Sequence, residues 1–176
     1  TMIQYNGKCL ELNHFPDGTL LLKEMVEKKE KAVICWQFES NEEMVALYFL
    51  TKHLRAQGIN EIRLELPYIP NARQDRVKVP ADVFTLKYFA EFVNSLEFSE
   101  VVVLDPHSYV SEALFDRLVI RTPKAFVERV IGDLGGTDNL LLFFPDEGAM
   151  KRYSAMFELP YVFGIKKRDW STGKIL

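Results

Sequence analysis

The chain has 176 residues, 48% of them hydrophobic and 27% charged, with a formal net charge of −3. This composition excludes a disordered chain, and the charge excludes whole-molecule attraction to nucleic acid or an anionic membrane, so a phosphate ligand needs a local basic site. No apolar run approaches the ~18–20 residues that span a bilayer, and no signal-peptide pattern opens the chain. Cys9 and Cys35, without a CxxC spacing, read as reduced, buried thiols of a cytoplasmic protein. Thr1 ahead of Met2 reads as a vector-derived residue.

In chain order, "MIQYN", "KCLELNHF", "TLLLKEM" and "KAVICWQF" are short, β-rich or alternating segments, with a Pro16-Asp17-Gly18 turn between the second and third. Ser40 and Glu43 have capping-box spacing, which predicts a helix to about Gln57 with Met44, Leu47, Tyr48, Leu50, Thr51 and Leu54 inward and Gly58 at its end. "EIRLELPYIP" is the next strand. Asp82 opens a helix to about Leu96, burying Val83, Leu86, Phe89, Ala90 and Val93. "EVVVLD" is a continuous apolar run, expected for a strand covered on both faces. "LVI" is a short strand, Thr122-Pro123 opens a helix that Gly135-Gly136 closes, and "LLLFFPD", "EGAMKRYSAMF" and "YVFGI" read as strand, helix, strand.

The alternation from residue 31 onward predicts an α/β fold: a mainly parallel sheet flanked by helices on both sides, preceded by an antiparallel piece. The linker-like "GDLGGTDN" places a domain boundary near residue 136. This leaves 137–176 as the opening part of a second, incomplete domain, since roughly forty residues rarely fold alone.

In an open parallel sheet, ligands bind outside the carboxyl ends of the strands, so polar residues directly after apolar strands carry the most weight. Four such clusters occur: "NARQDR" (71–76), "DPHS" (105–108), "DEGAMKR" (146–152) and "KKRD" (166–169). Together they supply guanidinium, carboxylate, imidazole and ammonium groups, suited to a polyphosphate with a divalent metal. Each also has a plainer reading. Asp105 and His107 fit a turn bonded to its own backbone. As metal-site groups, Asp105 suits Mg²⁺, which prefers oxygen, better than His107 does. Asp146 fits either a helix N-cap or an anion-facing helix start that Gly148 lets a ligand approach. Lys166, Lys167 and Arg168 fit a solvated strand end or a phosphate-neutralising group. Neither a P-loop nor a dinucleotide fingerprint is present.

"PYIPNARQDR", "VVVLDPHS", "FPDEGAMKR" and "IKKRD", in this order and spacing, resemble the ribose-phosphate pyrophosphokinases, whose runs read like PYxPYARQDR, DLHA, PDxGG and K-x-R. "HFPDGTL" is similar to that family's F-[SA]-[DN]-G-E turn. The resemblance covers almost the whole chain. It implies a phosphoribosyltransferase-like fold and Mg²⁺-dependent transfer of diphosphoryl from ATP to ribose 5-phosphate, giving phosphoribosyl pyrophosphate and AMP, with the first domain (1–136) binding ATP. By matching position it implies that Arg73 and Gln74 contact adenine while Asp75 orders their loop. It further implies that Phe15 and Asp17 serve a neighbouring subunit's adenine pocket in a homo-oligomer. His107 would contact the phosphates or their metal, Asp146 would hold Mg²⁺, and Lys166 and Arg168 would neutralise the transferring group.

The chain departs from the pattern at four points, one being "DPHS" where the family has DLHA. Thr19 stands where the family turn has Glu, and "VKVPAD" replaces a basic, Ser-containing loop that closes over ATP. No acidic, Gly/Thr-rich loop for the sugar phosphate is found. Two expectations follow. One is the ATP-binding part of a synthetase, inactive as 176 residues alone. The other is a non-catalytic regulatory homologue that assembles with an active enzyme.

Overall fold

Asn6 and Gly7, with φ of 47° and 84°, supply the two left-handed residues of a primed turn. That turn folds β1 (Ile3–Tyr5) onto β2 (Lys8–Cys9) with Tyr5 opposite Lys8. β3 (Asn13–His14) and β4 (Leu20–Leu21) form a separate antiparallel pair around the Pro16-Asp17-Gly18 turn. Then come β5 (Lys31–Trp36), α1 (Glu42–Ala56), β6 (Glu61–Leu66), α2 (Thr85–Ser95), β7 (Glu100–Leu104), α3 (Val110–Leu114) and β8 (Leu118–Arg121). The computed structural model describes residues 1–26 and 29–165, and the chain divides into two compact units, Thr1–Thr122 and Pro123–Leu176.

The first unit is built on one sheet in the order β2-β1-β5-β6-β7-β8, in which β5 to β8 are all parallel and β1 runs antiparallel to β5. The expected mainly parallel sheet with flanking helices and an antiparallel N-terminal piece is therefore present. From β5 to β8 the strand order advances in one direction, with α1, α2 and α3 in the successive crossovers. Strand burial alternates to match: Ala32, Ile34 and Trp36 of β5 and Ile62, Leu64 and Leu66 of β6 point into the core. Leu47, Leu50, Leu54, Leu86, Phe89 and Val93 meet them from α1 and α2. Each fully buried aliphatic side chain here stabilises the fold by roughly 2 kcal/mol. The opposite face carries ion pairs, with Arg63 between Glu65 (3.0 Å) and Glu100 (3.1 Å).

Two helix starts differ from expectation. α1 turns Ala46 and Glu43 inward and Tyr48 outward, and Ser40 contributes backbone atoms rather than its hydroxyl. The reason is Glu43, 1% exposed, whose carboxylate accepts bonds from Thr1 Oγ1 (2.6 Å), Met2 N (2.9 Å), Trp36 Nε1 (3.0 Å), Glu39 N (2.7 Å) and Ser40 N (3.3 Å). α2 begins at Thr85, three residues after Asp82, because the Asp82 carboxylate points back to accept the N–H groups of Lys78 (2.8 Å) and Val79 (3.1 Å). Val83 accordingly lies before the helix and is exposed.

In the second unit, α4 (Lys124–Asp133) follows Pro123 and ends at Gly135 and Gly136, both at positive φ. β9 (Leu142–Phe144) and β10 (Tyr161–Phe163) pair in parallel, linked by α5 (Glu147–Tyr153) and a 3₁₀ turn (Ser154–Met156). Gly164 packs so closely that a Cβ there would lie 2.8 Å from the Pro145 carbonyl oxygen.

Burial pushes the Glu43 carboxyl up, but hydrogen bonds from Thr1, Glu39, Trp36 and Met2 outweigh it and hold the group down at about 2. A depressed folded value means that its contribution is complete above the unfolded value and is lost as pH falls from about 4.5 toward 2. Glu43→Ala is expected to cost about 3 kcal/mol in urea unfolding at pH 7, and much less at pH 3. An equal loss at both pH values would refute this account.

Candidate functional site

Parallel pairing of β6 and β7 sends the segments after both strands to the same edge of the sheet, so "NARQDR" and "DPHS" emerge side by side. The loop after β6 is rigid for local reasons. Ile69 and Ala72 are buried anchors, and the Tyr68 hydroxyl donates to the Phe38 carbonyl (3.0 Å). Asn71 takes a left-handed φ of 62°, and the Gln74 N–H closes the turn onto the Asn71 carbonyl (3.0 Å). Gln74 is fixed further by the Thr85 hydroxyl, which donates to its Oε1 (2.9 Å).

Asp75 lies at the centre of this edge. It is 8% exposed, and Arg76 grips both of its oxygens (2.7 and 3.0 Å) while Ser108 Oγ donates to Oδ2 (2.8 Å). The last of these bonds joins the β6 loop to the β7 loop. Its carboxyl is held down at about 2, first by the Arg76 hydrogen bond, against the cost of burial, then by Ser108 and the charges of Arg76 and His107. Arg73 is exposed, and no hydrogen bond or ion pair to another described residue holds its guanidinium. His107 is also exposed, two residues beyond Asp105, which ends β7 at a φ of 47° while its N–H bonds the Arg121 carbonyl (2.9 Å). A left-handed carboxylate residue at a strand end is uncommon outside sites and turns.

The other anticipated residues lie elsewhere. Phe15 and Asp17 occupy the β3–β4 turn; Phe15 is half exposed, and Asp17 Oδ1 accepts from the Thr19 N–H (3.0 Å) and hydroxyl (2.7 Å), which lowers its carboxyl's pKa. Thr19, standing where the resemblance has Glu, therefore braces the aspartate of the turn. Phe15 also lines a cavity of about 600 Å³ with Leu20, Leu22, Phe49 and His53. Asp146, in the second unit, is the N-cap of α5, accepting from the Ala149 N–H (2.8 Å). Lys166 and Arg168 lie outside the described residues. Among the described residues, no group of three or more His, Cys, Asp or Glu side chains is placed to hold a metal ion. Ser108, Arg76 and Thr85 were not assigned a part from sequence. Ser108 and Arg76 are marked only by their place in the clusters that follow β7 and β6, and Thr85, the first residue of α2, by nothing in the sequence.

Asp75→Ala is expected to lower stability by about 2 kcal/mol at pH 7, with the difference vanishing as pH falls from about 4 toward 2, because the folded-state value is the lower one. Denaturant unfolding across that range measures it, and a pH-independent penalty would contradict the hydrogen-bonded carboxylate.

No family model matches the chain. Ribose-phosphate pyrophosphokinase of Sulfolobus acidocaldarius is 27% identical over 178 residues, covering 96% of this chain and 60% of that protein. The Mycoplasma genitalium protein of the same name is 30% identical over 163 residues, covering 88% of this chain and 49% of its own length. The fold matches that of phosphoribosylpyrophosphate synthetase from Mycobacterium smegmatis with a TM-score of 0.72 and 17% identity, over 96% of this chain and 58% of that one. The chain thus spans about half to three-fifths of the length of the relatives it matches. With these matches, the four motifs in order and the parallel α/β sheet, the chain is a homologue of the ribose-phosphate pyrophosphokinases.

Proposed function

We propose that the protein to which these residues belong is a ribose-phosphate diphosphokinase, transferring diphosphoryl from Mg-ATP to ribose 5-phosphate with release of AMP. The observation that carries this reading is the edge formed by the β6 and β7 loops. It offers a guanidinium and a carboxamide from the β6 loop and an imidazole from the β7 loop, beside a carboxylate whose charge Arg76 neutralises and which Ser108 also hydrogen-bonds. Arg73 lies flat on the adenine face, and Gln74, oriented by Thr85, reads a hydrogen-bonding edge of the base. His107 donates to phosphate oxygens. Asp146 faces the sugar side, with Gly148 leaving space beside it, and Lys166 and Arg168 neutralise the group in transfer. Such transfer is mostly positioning and charge neutralisation.

In this reading Mg²⁺ arrives on the nucleotide and takes most of its ligands from phosphate and water, and the resemblance assigns His107 and Asp146 to the metal. Bound there, the ion would neutralise phosphate charge. Phe15 and Asp17 complete the adenine pocket of a neighbouring copy in a homo-oligomer. The domain organisation that goes with this reading is an ATP-binding 1–136 and a phosphoribosyltransferase-like segment from 137 onward. A cytoplasmic location goes with this reading. Among the described residues no helix is long and apolar enough to cross a membrane.

No acidic, Gly/Thr-rich sugar-phosphate loop occurs in these 176 residues, so the chain alone binds Mg-ATP weakly and forms no product. Calorimetry should show Mg-ATP binding that Arg73→Ala weakens by about tenfold, the loss of one stacking contact. An AMP-release assay should show no turnover. Sustained AMP formation by these 176 residues would overturn the second half, and an unchanged affinity in Arg73→Ala the first.

One observation favours a regulatory homologue as the second reading. The segment that replaces the closing loop is folded back by Asp82 onto the Lys78 and Val79 amides. Asp82→Ala should speed hydrogen exchange at those two amides severalfold. Assaying a longer form of the protein with ribose 5-phosphate, with and without this substitution, separates the readings. A regulatory subunit stays silent in both, whereas an enzyme restrained by the clamp gains rate when it is released.

A further inference from the structure

We infer that Ser108 is a positioning residue, a latch that sets His107 relative to the Arg73–Gln74 rim; this rests on the nucleotide reading above. Residues 105–108 are tethered at both ends. At the first, the Asp105 N–H bonds the Arg121 carbonyl of β8 (2.9 Å). At the other, the Ser108 hydroxyl donates to Asp75 Oδ2 (2.8 Å), 33 positions away in sequence. His107 lies between the two anchors, so its backbone is held between β8 and the loop after β6. The acceptor is well suited to the task. Asp75 is 8% exposed and gripped through both oxygens by Arg76, so it moves with the β6 loop that presents Arg73 and Gln74.

A serine does this without adding charge. A lysine or arginine at position 108 would also reach Asp75, but it would place a second cation beside Arg73 and compete for the same anion. The resembling run has alanine here (DLHA against "DPHS"), a side chain that cannot form the bond. The latch is therefore a feature of this chain's own residues. The segment is held from below as well, since the Ser111 N–H bonds the Ser108 carbonyl (3.3 Å) while Ser111 is fully buried. Loss of the Ser108 hydroxyl should thus loosen the join between the loops rather than unfold α3.

The 176-residue chain and its Ser108→Ala and Ser108→Thr variants test this in two arms. In hydrogen exchange without nucleotide, Ser108→Ala should quicken exchange severalfold in both 71–76 and 105–109, and Ser108→Thr, which restores the hydroxyl, should return both segments to near the parent rate. In calorimetry, Ser108→Ala should weaken Mg-ATP binding about fivefold, with rescue by Ser108→Thr, while thermal unfolding shifts little. Faster exchange confined to 105–109, or a threonine variant that behaves like alanine, overturns the latch. If the parent chain binds no Mg-ATP, the nucleotide reading of this edge fails, and the exchange arm still decides whether Ser108 joins the two loops.

Discussion

The polar edge exists because β6 and β7 run parallel and in register, with Arg63 opposite Glu100 and Leu66 opposite Val103. A parallel neighbour cannot be reached by a hairpin, so the chain must cross over through α2 and return in the same direction. Both strands then end together, and the loops that leave them are neighbours before any side chain is considered. Hydrophobic burial holds the register. Leu64 and Leu66 of β6 and Val101 and Val103 of β7 share the face covered by Leu86, Phe89 and Val93, and a one-residue slip would turn that set outward.

On that platform the two buried carboxylates act alike in different places. Glu43 gathers donors from the start of the chain, from Trp36 and from the turn entering α1, so it fixes how the first crossover helix meets β5. Asp75 gathers Arg76 and Ser108 and fixes how two loops meet. A buried charge is tolerated only when its hydrogen bonds are filled, and both sites meet that condition. The difference lies in what surrounds them. Glu43 is sealed within the fold, whereas Asp75 lies beneath an exposed rim of cations.

Much of the fold was legible in the sequence because its signals are local. β5, β6 and β7 announce themselves by alternating or continuous apolar runs, Pro16-Asp17-Gly18 by its turn chemistry, and the α4 end by Gly135-Gly136. α3 was missed because five residues, Val110–Leu114, are too few to show a period. Tyr48 was placed inward because hydropathy ranks it so; the capping-box spacing anticipated the bond from the Ser40 N–H to Glu43, but not the donors from Thr1, Met2 and Trp36 that draw this carboxylate inward. Asp82 looked like a helix start and is instead a loop clamp. Asp146 was readable as a cap, since the N–H that it accepts from is only three residues away. At the candidate site, the residues on strand ends could be named from order alone. The bond from Ser108 to Asp75 could not, because it is a product of parallel strand order rather than of spacing.

The clamp at Asp82 has a chemical corollary for the stretch between Arg76 and Thr85. Backbone amides are a protein's most economical means of cradling an oxyanion, and those of Lys78 and Val79 are both turned onto a carboxylate of the same loop. A triphosphate approaching from that side meets a fixed negative charge where open amides would otherwise greet it. Both donors are thus spent within the loop, and on the nucleotide reading proposed above the carboxylate would have to release them before they could receive an anion.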